Sequence, residues 1–147
     1  MLEIYQRLGR HCHHDVYAEV MLNHEQRTKG RLKLTANNGE EIRVFLDRGK
    51  PLLIGEYLKS ECNKYIRVQG QVEPITEAVC DDWHRFSQAC YHLGNRHVKL
   101  QIGERWLRIT PDHVLEDMLI KLGLDLTSKE VIFDPESGAY KDAHHGH

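Results

Sequence analysis

A chain of 147 residues with 40% hydrophobic and 29% charged side chains has the makeup of a globular protein of one domain or two small ones. Its formal charge of -2 supplies no basic field for nucleic acid, and no apolar run approaches the ~20 residues of a membrane span. Met1-Leu2-Glu3-Ile4 lacks the basic and apolar layout of a signal peptide, so a cytoplasmic chain is expected.

Residues 1 to 70 read as an antiparallel β domain, a small sandwich or barrel. Leu2 and Ile4 open a first strand, and Val16 to Leu22 a second. From Arg27 to Thr35 the second half alternates apolar and basic residues, which predicts a strand with one wet face. Asn37-Asn38-Gly39 is a hairpin turn, since Asn and Gly accept positive φ. Ile42, Val44 and Leu46 return with a period of two, and Lys64 to Val68 reads as a further strand that runs on toward Val72. The charges of this domain suit either a solvated sheet face or a surface for peptides and partners.

Gly70 to Pro74 is the expected junction, and residues 71 to 136 the second domain. From about Thr76 the period turns helical: Val79, Trp83, Phe86, Cys90 and Leu93 fall on one helix face. Gly94 and Asn95 are expected to stop that helix, because both tolerate a left-handed backbone. Val98, Leu100 and Ile102 then alternate as a strand, which puts His97 at a rigid corner. Trp106 to Ile109 returns as a second strand. Thr110-Pro111-Asp112 is predicted to start a helix with Thr110 as cap. Val114, Leu115, Met118, Leu119 and Leu122 would form its buried stripe, and Gly123 its end. A last strand is expected at Lys129 to Phe133. The order βαββαβ is the ferredoxin-like arrangement, giving an α+β protein overall. Residues 137 to 147 lose apolar periodicity and read as a flexible tail.

Eleven histidines are the oddity of composition. His11, His13 and His14 flank Cys12, and His144, His145 and His147 close the chain, either as ligands or as a purification remnant. The four cysteines are scattered, with no Cys-x-x-Cys, so neither a disulfide framework nor a zinc ribbon is expected. No phosphate loop, nucleophile elbow or zinc-protease helix appears; His113-x-x-Glu116 lacks a second histidine. Histidine excess without catalytic apparatus points to binding and transfer of a borderline metal, not to an enzyme. One imidazole per chain is too few for tight binding. A two-fold dimer with both copies of His97 facing each other would supply two, and tail imidazoles could join and leave.

Several stretches in order carry a resemblance. They are Arg27 to Arg31, Val44 to Gly49, Ala89 to His97, Asp112 to Leu119 and Phe133 to Tyr140. With them the chain resembles the urease accessory protein UreE family of nickel metallochaperones. The resemblance implies an N-terminal domain that contacts partners and a ferredoxin-like domain that dimerises. It also implies Ni(II) held by His97 of both protomers, assisted by His144, His145 and His147. The ion would pass, with the urease accessory GTPase, into apo-urease; an assembly scaffold that binds metal incidentally is the alternative. Zn(II) and Cu(II) compete for such sites. Where some relatives carry two histidines around the position of Asp112, this chain has Pro111 and only His113. Its three tail histidines imply small stoichiometry, not bulk storage.

Overall fold

The computed structural model describes residues 1–47 and 49–137. The chain divides into two compact units, Met1–Gln71 and Val72–His147. Among the described residues no helix is long and apolar enough to cross a membrane.

The first unit is one six-stranded sheet. Its strands are β1 (Leu2–Gly9), β2 (Ala18–Leu22), β3 (Arg31–Thr35), β4 (Glu41–Phe45), β5 (Tyr57–Ser60) and β6 (Tyr65–Gly70), in the spatial order β2-β6-β5-β1-β4-β3. The expected alternation places Ile4, Ile42, Val44, Leu58, Ile66 and Val68 in a common core, all essentially without solvent contact. Burying each such side chain contributes about 1.5–3 kcal/mol. The sheet curls: Asn37, in the turn after β3, exchanges two bonds with Glu19 on β2 at the opposite edge, each 2.9 Å. Three pairings are antiparallel, as expected. Two are parallel, β1 with β4 and β2 with β6, because those partners are not consecutive and hairpins cannot dictate their direction. The strand expected from Arg27 begins only at Arg31; His24–Arg27 is instead a short helix α1, closed by a capping box between Asn23 and Gln26. Glu56 is buried and receives both guanidinium arms of Arg7 at 2.6 Å, which pins the loop between β4 and β5.

The second unit contains β7 (Val72–Val79), α2 (Trp83–Asn95), β8 (Gln101–Ile102), β9 (Trp106–Ile109), α3 (His113–Lys121) and β10 (Asp125–Ile132). The sheet order β10-β7-β9-β8, all antiparallel, is the expected split βαβ arrangement. Several boundaries differ from the sequence reading. β6 does not run on through Val72: it ends at Gly70, and Gln71, whose N–H still donates to the Leu22 carbonyl, separates it from β7. Thr76 to Val79 is strand, not helix. The helix starts at Trp83, where Asp82 accepts the His84 N–H. Its buried face is therefore Phe86, Ala89 and Leu93, while Trp83 is exposed. Helix α3 is capped by Asp112, not Thr110: Asp112 accepts the Leu115 N–H, and Glu116 accepts the Asp112 N–H. Val114, expected in the buried stripe, is 73% exposed; Leu119 is fully buried. The last strand starts four residues early, at Asp125, because pairing with β7 imposes strand geometry on a segment with little apolar signal.

Glu77 sits on β7, the strand flanked by β9 and β10, and takes Arg108 Nε at 2.9 Å and Lys129 Nζ at 2.6 Å. Burial by itself raises its carboxyl pKa, but the bonds and charges of Lys129 and Arg108 outweigh that and hold it below the ordinary value. A depressed acid stabilises the fold above its unfolded pKa and loses that contribution as pH falls through the folded value. Glu77→Gln is therefore expected to lower stability by on the order of 1 kcal/mol at pH 7. The gap to wild type should close in urea titrations run well below pH 4.5.

Candidate metal centre

His97 is placed by the way α2 ends. Two nested bonds close the helix: the Val98 N–H donates to the Leu93 carbonyl at 3.1 Å, and the His97 N–H to the Gly94 carbonyl at 3.0 Å. This pattern requires a left-handed residue at the inner position. That residue is His97 itself, with φ 57°, while Gly94 and Asn95 stay helical. The sequence reading put the left-handed turn two to three residues too early, at Gly94 and Asn95. The signal that locates it is the apolar pair Leu93 and Val98, which clamps the two ends of the bend in the core cluster. The end of α3 is an internal control. There the Leu124 N–H donates to Leu119 at 3.0 Å, the Gly123 N–H to Ile120 at 2.9 Å, and the left-handed residue is Gly123. Thus α2 uses histidine where α3 uses glycine. A non-glycine residue in this conformation costs roughly 1–2 kcal/mol. The outcome is an exposed imidazole on a short, bonded bend, since Val98 to Leu100 is irregular and β8 begins only at Gln101.

Beside this bend lies an open groove of about 500 Å³ between α2 and α3, lined by His92, Arg96, Val114, Asp117, Met118 and Lys121 among others. Arg96, the helix cap, reaches across it to the Met118 sulfur at 2.7 Å. Tyr91, on the same turn of α2 as His92, is 68% exposed. The chain after β10 also returns to this region. The Asp134 N–H donates to the Gln101 side chain at 3.1 Å, and the Glu136 N–H to the Leu100 carbonyl at 2.7 Å. The start of the C-terminal segment is thereby fixed a few residues from His97.

The other candidate residues fall apart in space or in role. His113 is the first residue of α3, exposed, at the positive end of the helix. Of the carboxylates around it, Asp112 and Glu116 are occupied in capping, and Asp117 lines the groove between the helices. In the first unit the His14 ring stacks on Tyr65 at 4.4 Å, and the Cys12 thiol points at the His14 carbonyl. Among the described residues no three His, Cys, Asp or Glu side chains converge as a metal cage. His144, His145 and His147 lie outside the described residues. Cys90, half-buried against the core, has its thiol pKa raised by burial.

Comparison with known families matches both units. Residues 4–70 match the N-terminal domain of the UreE urease accessory protein, and residues 73–147 its C-terminal domain. A urease accessory protein UreE of Marinomonas sp. (strain MWYL1) is 65% identical over the whole of both chains. One from Alteromonas mediterranea is 50% identical over all of this chain and 95% of its own, and one from Psychromonas ingrahamii 46% identical over all of this chain and 96% of its own.

The bend makes stability separable from ligand chemistry. His97→Gly is expected to be at least as stable as wild type, whereas the β-branched side chain of His97→Val should cost roughly 1–2 kcal/mol. Urea unfolding of the three proteins measures this. Equal losses in both variants would mean that the imidazole, not the backbone, holds the bend.

Proposed function

This chain belongs to the UreE family of urease accessory proteins, and we propose that it is a non-enzymatic carrier of Ni(II) for the assembly of the urease active site. His97 is the primary ligand. Two copies face each other across a homodimer, so that one ion is shared between two imidazoles. The observation that carries this reading is the exposed imidazole on a left-handed residue, in the bend where α3 of the same unit uses glycine. Backbone strain kept at an exposed polar residue marks a position where the side chain matters more than local stability.

Two imidazoles from one dimer leave a coordination shell open. The remaining positions fall to His144, His145 and His147. From Glu136 to His144 an extended chain spans at most about 29 Å. Leu100, which holds Glu136, lies at most about 11 Å along the chain from His97. The tail histidines are therefore within reach of that residue in their own protomer. Ligands on a tether can close over an ion and come off it, as a carrier needs and a storage cage does not. His113 is an auxiliary ligand, since Asp112 and Glu116 beside it are already engaged in the helix cap. The ion is cargo, passed with the urease accessory GTPase into apo-urease in the cytoplasm.

A scaffold that assembles the accessory complex and binds metal incidentally is the second reading, favoured by the exposed groove and Tyr91. Calorimetric Ni(II) titration separates the two. Wild type should take up about one tight ion per dimer. His97→Ala should abolish that site, and truncation before His144 should weaken it by one to two orders of magnitude, the scale of a lost supporting ligand. Retention of both tight nickel binding and urease activation by His97→Ala would refute the carrier role. Imidazole sites take Zn(II) and Cu(II) as well, so the same titrations with those ions measure selectivity.

A further inference from the structure

Of the clustered histidines, His11, His13 and His14 around Cys12 take no part in the His97 site. They lie in the first unit, on the connection from β1 to β2. Both ends of that connection are fastened. At its start Gly9 has φ 75°, and the Arg10 Nε donates to the Ile54 carbonyl at 3.1 Å. At its end the Tyr17 N–H donates to the Tyr65 carbonyl at 2.8 Å, and the Lys64 ammonium stands 3.9 Å from the centroid of the Tyr17 ring. No residue from Arg10 to Tyr17 takes a positive φ. The segment is braced at both ends.

The side chains between these anchors have different fates. The His14 ring lies parallel to Tyr65, with centroids 4.4 Å apart and 7° between the planes, so its face is spent on packing. The Cys12 thiol is half-buried and points at the His14 carbonyl, 3.7 Å away. His11 and His13, on either side of Cys12, are exposed, and among the described residues no hydrogen bond or ion pair engages either ring. This alternation of exposure turns the two imidazoles outward and the thiol between them inward. Residues two apart on an extended chain stand about 7 Å from each other on one side. Imidazoles at that spacing are long enough to bring one nitrogen each to a shared ion, at about 2.0–2.1 Å for zinc. Solvation accounts for one exposed histidine on a loop. It gives no reason for two on the same side of a braced segment with the thiol turned away.

We propose that His11 and His13 form a second metal site in the first unit, a two-imidazole chelate for a borderline divalent cation such as Zn(II) or Cu(II). Neutral imidazole nitrogens suit these ions, and oxygen ligands alone do not select them. Among the described residues no third His, Cys, Asp or Glu converges on the pair, so water completes the shell. Such a site is open and weaker than a four-ligand cage. Asp15, two residues beyond His13 and also exposed, adds a carboxylate whose charge favours a cation there. The site lies in the unit that does not contain His97, so it stands or falls apart from the nickel reading.

The test is a calorimetric Zn(II) titration of the full chain, with amide NMR spectra recorded alongside. The double variant His11→Ala/His13→Ala should bind one Zn(II) fewer per protomer than wild type, and the amide shifts that Zn(II) causes at residues 10–15 of wild type should vanish. Either single variant should weaken the site about a hundredfold, because a lone imidazole loses the effective concentration of its neighbour. Cys12→Ser should keep the ion, and so should His14→Phe, which preserves a ring over Tyr65. The urea midpoint of the double variant should match wild type. An unchanged Zn(II) count in the double variant, loss of the ion in Cys12→Ser or His14→Phe, or a lowered midpoint would each overturn the assignment. The shifts at residues 10–15 should persist in His97→Ala whether or not that variant loses nickel, which separates the two sites.

Discussion

The second unit depends on one short constraint, the bend from Leu93 to Val98. A helix lying on a sheet must turn back to feed the next strand, and its last carbonyls must find donors. Here two nested backbone bonds supply them, with Leu93 buried at one end and Val98 packed against the same core at the other. The residue between them has no choice of conformation. Whatever occupies position 97 is held in the left-handed region and projected into solvent.

Glycine fits that position best, and the same unit places glycine at the matching point of α3. Histidine there sets an exposed ring at a defined point, with no side-chain bond to it among the described residues. In the proposed dimer that suits a shared ligand, since preorganisation lowers the entropy lost on binding. The helix end is also favourable for a cation, because it carries the negative pole of the helix dipole. His113 occupies the opposite pole of α3 and has the opposite electrostatics. The contrast between the two histidines therefore rests on helix geometry as well as on the number of neighbours.

The first unit shows a different economy. Its inward face is a continuous aliphatic core, and buried Glu56 is bonded by both arms of the partly exposed Arg7, so its interior is committed to stability. Its outward face along β3 and β4 is not. There Lys33 stands opposite Arg43 across β3 and β4, and Glu3 stands opposite Arg43 across β1 and β4. The two units thus divide labour: one holds an imidazole at a fixed bend, and the other presents charge on a stiff sheet.

Alternation in residues 1 to 70, part of each helical stripe and the β-α-β-β-α-β order were legible in the amino-acid string, because burying one face imposes a period on the residues that do it. The family resemblance was legible too, since it rests on contiguous stretches, and His97 stood out beside a helix stop. Boundaries were not. Asp125 to Ser128 is strand only because β7 lies alongside, and Val114 escapes burial only because of how α3 meets the sheet. Nor could the string show which of Gly94, Asn95, Arg96 or His97 takes the left-handed backbone. That choice follows from where Leu93 and Val98 find their core contacts, and the opposition of Lys33 to Arg43 follows from strand register. Both are distances between residues set by packing, which a linear order does not contain.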